Sequence, residues 1–154
     1  MIKIGPAGSG GLGNPGGIRK AARMQLDCME VEFTYGVRMS PADAREAGAL
    51  AKAKGIILSV HAPYYINLAS AEKEKIQASK QRISDSCHRA HTLGAQNVVF
   101  HAGFYQSKTA AQTYALVKKA VVEIQRTISE NNGRSDYAPK RPANPRSSAR
   151  WKSF

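Results

Sequence analysis

Apolar residues recur along this chain in two alternating rhythms. Short apolar runs at residues 2–5, 28–34, 56–60 and 97–100 read as strands. Longer stretches between them carry apolar residues three or four apart, as amphipathic helices do. The first such stretch, residues 18–26, puts Ile18, Ala21, Ala22 and Leu26 on one face. The second opens at Ser40-Pro41, an N-cap followed by proline at the first helical position, and runs to Lys54 before the stop at Gly55. The third covers residues 71–93, with Ile76, Ile83, Cys87 and Ala90 on one stripe and Gly94 as its stop. The fourth spans residues 109–130, buries Val117, Ala120, Val121, Ile124 and Ile128, and ends at Gly133. Residues 56–60 are nearly all apolar, as in a parallel strand covered on both faces. Four strand–helix units in series predict an α/β fold with a parallel sheet, either doubly wound or a barrel. In both architectures chemistry gathers at the C-terminal ends of the strands.

Composition narrows the classes. The chain has 154 residues, which is one domain or less. With 42% hydrophobic and 22% charged residues, most of it should pack a core. No apolar run approaches the roughly 18 residues that span a membrane. The N-terminus reads as a strand and lacks a signal-peptide shape. Two cysteines, Cys28 and Cys87, are too few for a disulfide scaffold or a cysteine-based zinc site. The expectation is a cytoplasmic, reducing setting. The net charge of +12 suggests a polyanionic partner. Five of those charges (Lys140, Arg141, Arg146, Arg150, Lys152) lie in residues 140–154, which hold no acid, so residues 1–139 carry +7. Prolines and the lack of apolar periodicity make that segment read as a disordered basic tail.

Gly8, Gly10 and Gly13 match the spacing of a dinucleotide fingerprint, and Glu30 and Glu32 lie near where its ribose-binding acid would fall. Asn14-Pro15-Gly16-Gly17 follows directly and should break the first helical turn. The glycine-rich stretch through Gly17 therefore reads as a long permissive loop, not a phosphate turn.

The histidines carry a stronger signal. His61 follows Ile56-Ile57-Leu58-Ser59-Val60 immediately, and His101 follows Asn97-Val98-Val99-Phe100 immediately. Both come at the C-terminal end of a strand, on consecutive strands about 5 Å apart, where two imidazoles could share one metal ion. His88 and His91 are three apart on the third helix, outside the sheet, where solvent or packing accounts for them.

Ser59-Val60-His61-Ala62-Pro63-Tyr64-Tyr65-Ile66-Asn67-Leu68 and Val98-Val99-Phe100-His101-Ala102-Gly103-Phe104-Tyr105 resemble the third and fourth strands of the endonuclease IV family of apurinic/apyrimidinic endonucleases. Ile4-Gly5-Pro6-Ala7-Gly8, Met29-Glu30-Val31-Glu32-Phe33 and Leu93-Gly94-Ala95 fit the same family. Wider relatives, sugar isomerases of xylose-isomerase type, share the barrel with less of this wording. The resemblance covers residues 1–139 and implies the N-terminal half of a (β/α)8 TIM barrel. It implies a base-excision-repair nuclease, a deoxyribonuclease IV, whose three zinc ions bind the phosphodiester 5′ to an abasic site and activate the attacking hydroxide. By the resemblance His61 and His101 are metal ligands sharing one zinc. Tyr64 matches an aromatic used at the damaged DNA. Gly8 and Gly10 lie in the position of a DNA-contacting loop.

The chain also departs from the family. A (β/α)8 barrel takes about 250 residues, and four of eight units are present. The carboxylates and histidines that the family takes from later strands have no counterpart, so no catalytic residue is assigned. Asp136-Tyr137-Ala138-Pro139 approaches a fifth strand, but Lys140-Arg141-Pro142 stands where Glu-Thr-Thr-Gly is expected. Restoring one G before the Lys140 codon makes it a Glu codon. The shifted tail can then be read as Glu-Thr-Thr-Gly-Lys. Residues 140–154 are thus expected to be a frameshifted, unstructured tail on a truncated protein. Such a half barrel should hold at most one zinc weakly, cleave abasic DNA little or not at all, and self-associate through open sheet edges. Two alternatives remain: a sugar isomerase or epimerase-type barrel fragment, and a non-catalytic basic DNA-binding module using the tail.

Overall fold

The computed structural model describes residues 2–131. Its elements in order are α1 (Gly13–Arg23), β1 (Cys28–Glu32), α2 (Pro41–Lys54), β2 (Ile57–His61), α3 (Lys73–Leu93), β3 (Asn97–Val99) and α4 (Ala110–Asn131). The strands form a parallel sheet in the order β1-β2-β3. Each strand is followed by a helix, the βα repeat that the sequence predicts.

Local signals decide the helix ends. The Ser40 hydroxyl accepts the Asp43 amide at 3.1 Å, and the Asp43 carboxylate accepts the Ser40 amide at 3.3 Å. This capping box, with Pro41 at the first position, starts α2 where the sequence predicts. Gly55 and Gly94 end α2 and α3 in the left-handed conformation, at φ of 70° and 73°.

Strand alternation sorts the side chains. Met29, Val31, Leu58 and Val60 point toward the helices and are buried with Ile18, Ala44, Ala47, Ala51 and Leu93. A second cluster joins Ile66, Leu68 and Ile83 to Val117, Ala120 and Ile124 of α4. The other alternation faces the inner side of the sheet. Its register puts Glu30 beside Ser59 and Asn97, and Glu32 beside His61 and Val99. α2 and α3 meet so closely that a Cβ on Gly48 would lie 2.3 Å from the Leu93 carbonyl oxygen. Cys87, on α3, faces the second cluster, and burial pushes its thiol up to about 11. Cys87 is therefore expected to resist maleimide at pH 8 in the native protein and to react on unfolding; equal rates in both states would contradict this packing.

Three expectations are corrected. Residues 2–5 are extended but form no strand. The Asp27 carboxylate takes the Ile4 amide at 3.1 Å and the Lys3 ammonium at 3.0 Å, which holds that carboxyl below its usual range. The segment still runs beside β1, with the Asp27 amide donating to the Ile4 carbonyl, the Glu30 amide to the Pro6 carbonyl and the Gly8 amide to the Glu30 carbonyl around an isolated Ala7–Glu30 bridge. Ile2 and Ile4 are exposed because no further element covers this edge among the described residues. Second, Asn14-Pro15-Gly16-Gly17 lies inside α1, which starts at Gly13. Pro15 falls in the first turn, where the amide it lacks has no helical partner to lose. The same helix stops at Arg23, short of Leu26, because Gln25 turns left-handed at φ 57° and the chain folds back, the Leu26 amide bonding Ala21. Third, β1 and β3 are shorter than predicted. The chain turns after Phe33, whose carbonyl accepts the Gly36 amide, and β3 stops at Val99. The stop expected at Gly133 and the tail at 140–154 lie outside the described residues. Among the described residues no helix is long and apolar enough to cross a membrane.

Candidate metal centre

His61 is the last residue of β2, and alternation with fully buried Val60 turns it to the inner face. Its Nδ1 donates to the Ala62 carbonyl at 2.8 Å. A carbonyl only accepts, so Nδ1 carries a proton, and in the neutral ring the Nε2 lone pair is the one that faces a ligand. This is the bond that metal-binding histidines commonly make with their second nitrogen. His101 lies two residues beyond β3 and is exposed. The two rings are 5.2 Å apart between centroids and tilted by 51°. Two imidazoles on one tetrahedral zinc, with Zn–N about 2.0–2.1 Å, place their centroids about 5 Å apart. The centroid separation of the pair matches that spacing.

Tyr64 completes a triangle of rings, 5.2 Å from His61 and 5.7 Å from His101, nearly parallel to the latter at 23°. Fully buried Pro63 anchors it on one side. On the other side Arg82 donates to the Tyr65 carbonyl at 3.0 Å. Tyr64 is 50% exposed, and Tyr65, Phe104 and Tyr105 are exposed on the same two loops.

The remaining predicted site residues do not join this cluster. Gly8 is buried at φ 76°, and a Cβ there would lie 2.6 Å from Glu32 Oε2. The loop glycine is thus needed to seat the Glu32 carboxylate. Gly10, at φ 60°, borders open space. Glu32 neighbours His61 in register, yet its carboxylate turns toward Gly8, and among the described residues no set of three His, Cys, Asp or Glu side chains converges. His88 and His91 are half-buried on α3, away from the pair. A cleft of about 530 Å³ opens beside the end of β1, lined by Glu32, Tyr35, Arg38, Asp43 and Glu46; it includes neither histidine. Lys20, Arg23, Lys52 and Lys54 occupy the last turns of α1 and α2, at the opposite end of the sheet, where they complement helix dipoles. These four cations therefore add nothing to the charge at the histidines.

Parallel strands, covering helices and a polar cluster at the strand ends define a protein of the βα-barrel class. The chain belongs to the xylose isomerase-like TIM barrel family, whose model matches residues 18–133. It is 31% identical to a probable endonuclease 4 of Mycobacterium ulcerans over 101 residues, 63% of this chain and 40% of that protein. Among solved structures it is similar to endonuclease IV from Thermus thermophilus, with TM-score 0.62 and 24% identity over 80% of this chain and 45% of the other. It is likewise similar to a D-psicose 3-epimerase, with TM-score 0.67 and 21% identity over 84% and 49%. The curated relatives it matches align over about 23–40% of their own length. The structural likenesses speak for the fold alone.

Proposed function

We propose that this chain carries the first part of an endonuclease IV-type site, which recognises abasic positions in DNA with zinc as cofactor. The observation that supports this best is the His61–His101 pair at 5.2 Å, with the His61 proton committed to Ala62. Similarity to a probable endonuclease 4 supports the same reading. Zinc would be held by His61 Nε2 and a ring nitrogen of His101, and when bound it would supply Lewis-acid polarisation of a phosphodiester oxygen. The chain's own residues orient the ligands and offer Tyr64 as a stacking face. No carboxylate joins the histidines among the described residues. The chain as written is therefore proposed to bind zinc weakly and to leave the phosphodiester intact.

Binding tests this more directly than cleavage. With zinc present, fluorescence anisotropy should show tighter binding to a duplex carrying a tetrahydrofuran abasic analogue than to the intact duplex. Tyr64→Ala should lose about fivefold or more of that affinity, as expected for one aromatic stacking contact. Equal affinity for both duplexes would sink the reading. A sugar-epimerase reading would use the same fold. It predicts that a ketohexose, and not abasic DNA, shifts the His61 and His101 resonances. The proposal that residues 140–154 are read out of frame is decided by the nucleotide sequence across the Lys140 codon, where an intact shifted frame must encode Glu-Thr-Thr-Gly.

A further inference from the structure

We propose that Asn67, Ser79 and Gly103 are positioning residues that set the separation of His61 and His101. The inference rests on the metal-centre reading for its functional meaning, although its geometry does not need a metal. His61 is held by the sheet. His101 is not, because β3 ends at Val99. The last bond continuing the ladder runs from the Ala62 amide to the Val99 carbonyl, at 2.8 Å. Beyond it both chains leave the sheet, one carrying Tyr64 and the other His101.

The two loops are joined again further out. The Leu68 amide donates to the carbonyl of Ala102, the residue next to His101, at 2.8 Å. Asn67, beside Leu68, is pinned from two directions. Its amide donates to Ser79 Oγ at 2.9 Å, and its Oδ1 accepts the Ala69 amide at 3.1 Å. Ser79 is almost fully buried on α3, and its hydroxyl donates to the Lys75 carbonyl at 2.6 Å. Gly103 closes against this clip. Its φ is 150°, and a Cβ on it would lie 2.6 Å from Asn67 Oδ1 and 3.3 Å from the Leu68 amide. The Asn67 carboxamide thus fills the space that any other residue at 103 would need. His101 takes its place from α3, through Ser79, Asn67 and the Leu68–Ala102 bond.

Metal-free NMR of the full chain tests this through the imidazole protons. In the parent, ring protons of His61 and His101 should show mutual NOEs, and Tyr64 should ring-current-shift His101. Gly103→Ala should abolish the inter-ring NOEs and move the His101 signals toward those of Tyr64→Ala, while the Nδ1-protonated signature of His61 persists. The double variant Asn67→Ala/Gly103→Ala removes the colliding oxygen and should shift the His101 signals little further than Asn67→Ala alone, a non-additivity that independent effects would not show. Where Gly103→Ala fails to fold, the Asn67 variants decide. Asn67→Asp keeps the acceptor and should preserve the His101 signals, whereas Asn67→Ala should not. Unchanged His101 signals in Asn67→Ala, or simple addition in the double variant, would overturn the proposal. Zinc added to the parent reports separately. If no imidazole responds, the metal-centre reading falls and the metal-free spectra still judge the positioning. If zinc binds, Asn67→Ala should weaken it about tenfold or more, the usual size of an outer-sphere loss.

Discussion

Replacing His61 by alanine is expected to abolish saturable zinc binding to this chain. The proposed site offers two ligands among the described residues, and no third His, Cys, Asp or Glu side chain converges on them. Removing one leaves an exposed imidazole with the affinity of a free side chain. The fall should exceed about 100-fold, beyond the outer-sphere range, because a ligand itself is lost. Zinc titration followed by competition with a chromophoric chelator reads it directly. His101→Ala should match His61→Ala, and the double variant should be no worse than either. His88→Ala is the control, since His88 lies on α3 away from the pair. If His88→Ala loses zinc and His61→Ala keeps it, the metal sits on α3 and the strand-end centre is wrong.

Gly48→Ala is expected to destabilise the fold, against the usual sign. A glycine in a helix interior normally costs about 1 kcal/mol relative to alanine, so the substitution ordinarily helps. Here the new Cβ would meet the Leu93 carbonyl oxygen at 2.3 Å and its carbon at 2.9 Å. Both atoms are backbone at the end of α3, so no side chain can swing away. The helices must separate, and Leu93, 1% exposed, must lose part of its packing. Overpacking of this kind costs about 1–3 kcal/mol. Thermal unfolding should show a Tm lower by about 2–4 °C for each kcal/mol. A raised Tm would mean that helix propensity outweighs the contact and that α2 and α3 do not meet at Gly48.

How much was legible in the sequence depends on how local the deciding interaction is. α2 was read correctly at both ends because Ser40, Pro41 and Gly55 act within one turn of themselves. The start of α1 is not legible, because Pro15 and two glycines look like breakers by type, whereas position within the first turn makes the proline harmless. Residues 2–5 have strand composition, yet a non-local acceptor, Asp27, takes the Ile4 amide and leaves the segment at an open edge. His61 and His101 could be singled out because strand ends are visible in apolar runs. The His61 bond to Ala62 and the approach of Tyr64 to both rings could not, since ring orientation depends on loops whose course is set elsewhere.

The sequence by itself determined the alternation of strands and helices, the parallel sheet, and the placing of two histidines at neighbouring strand ends. These follow from periodicity and capping, which operate over a few residues. Only the tertiary structure decided that the imidazoles stand 5.2 Å apart, that Glu32 turns to Gly8 instead of joining them, and that Asn67 seats Gly103. Those outcomes depend on contacts between segments tens of residues apart, where a distance follows from packing and cannot be read from spacing along the chain.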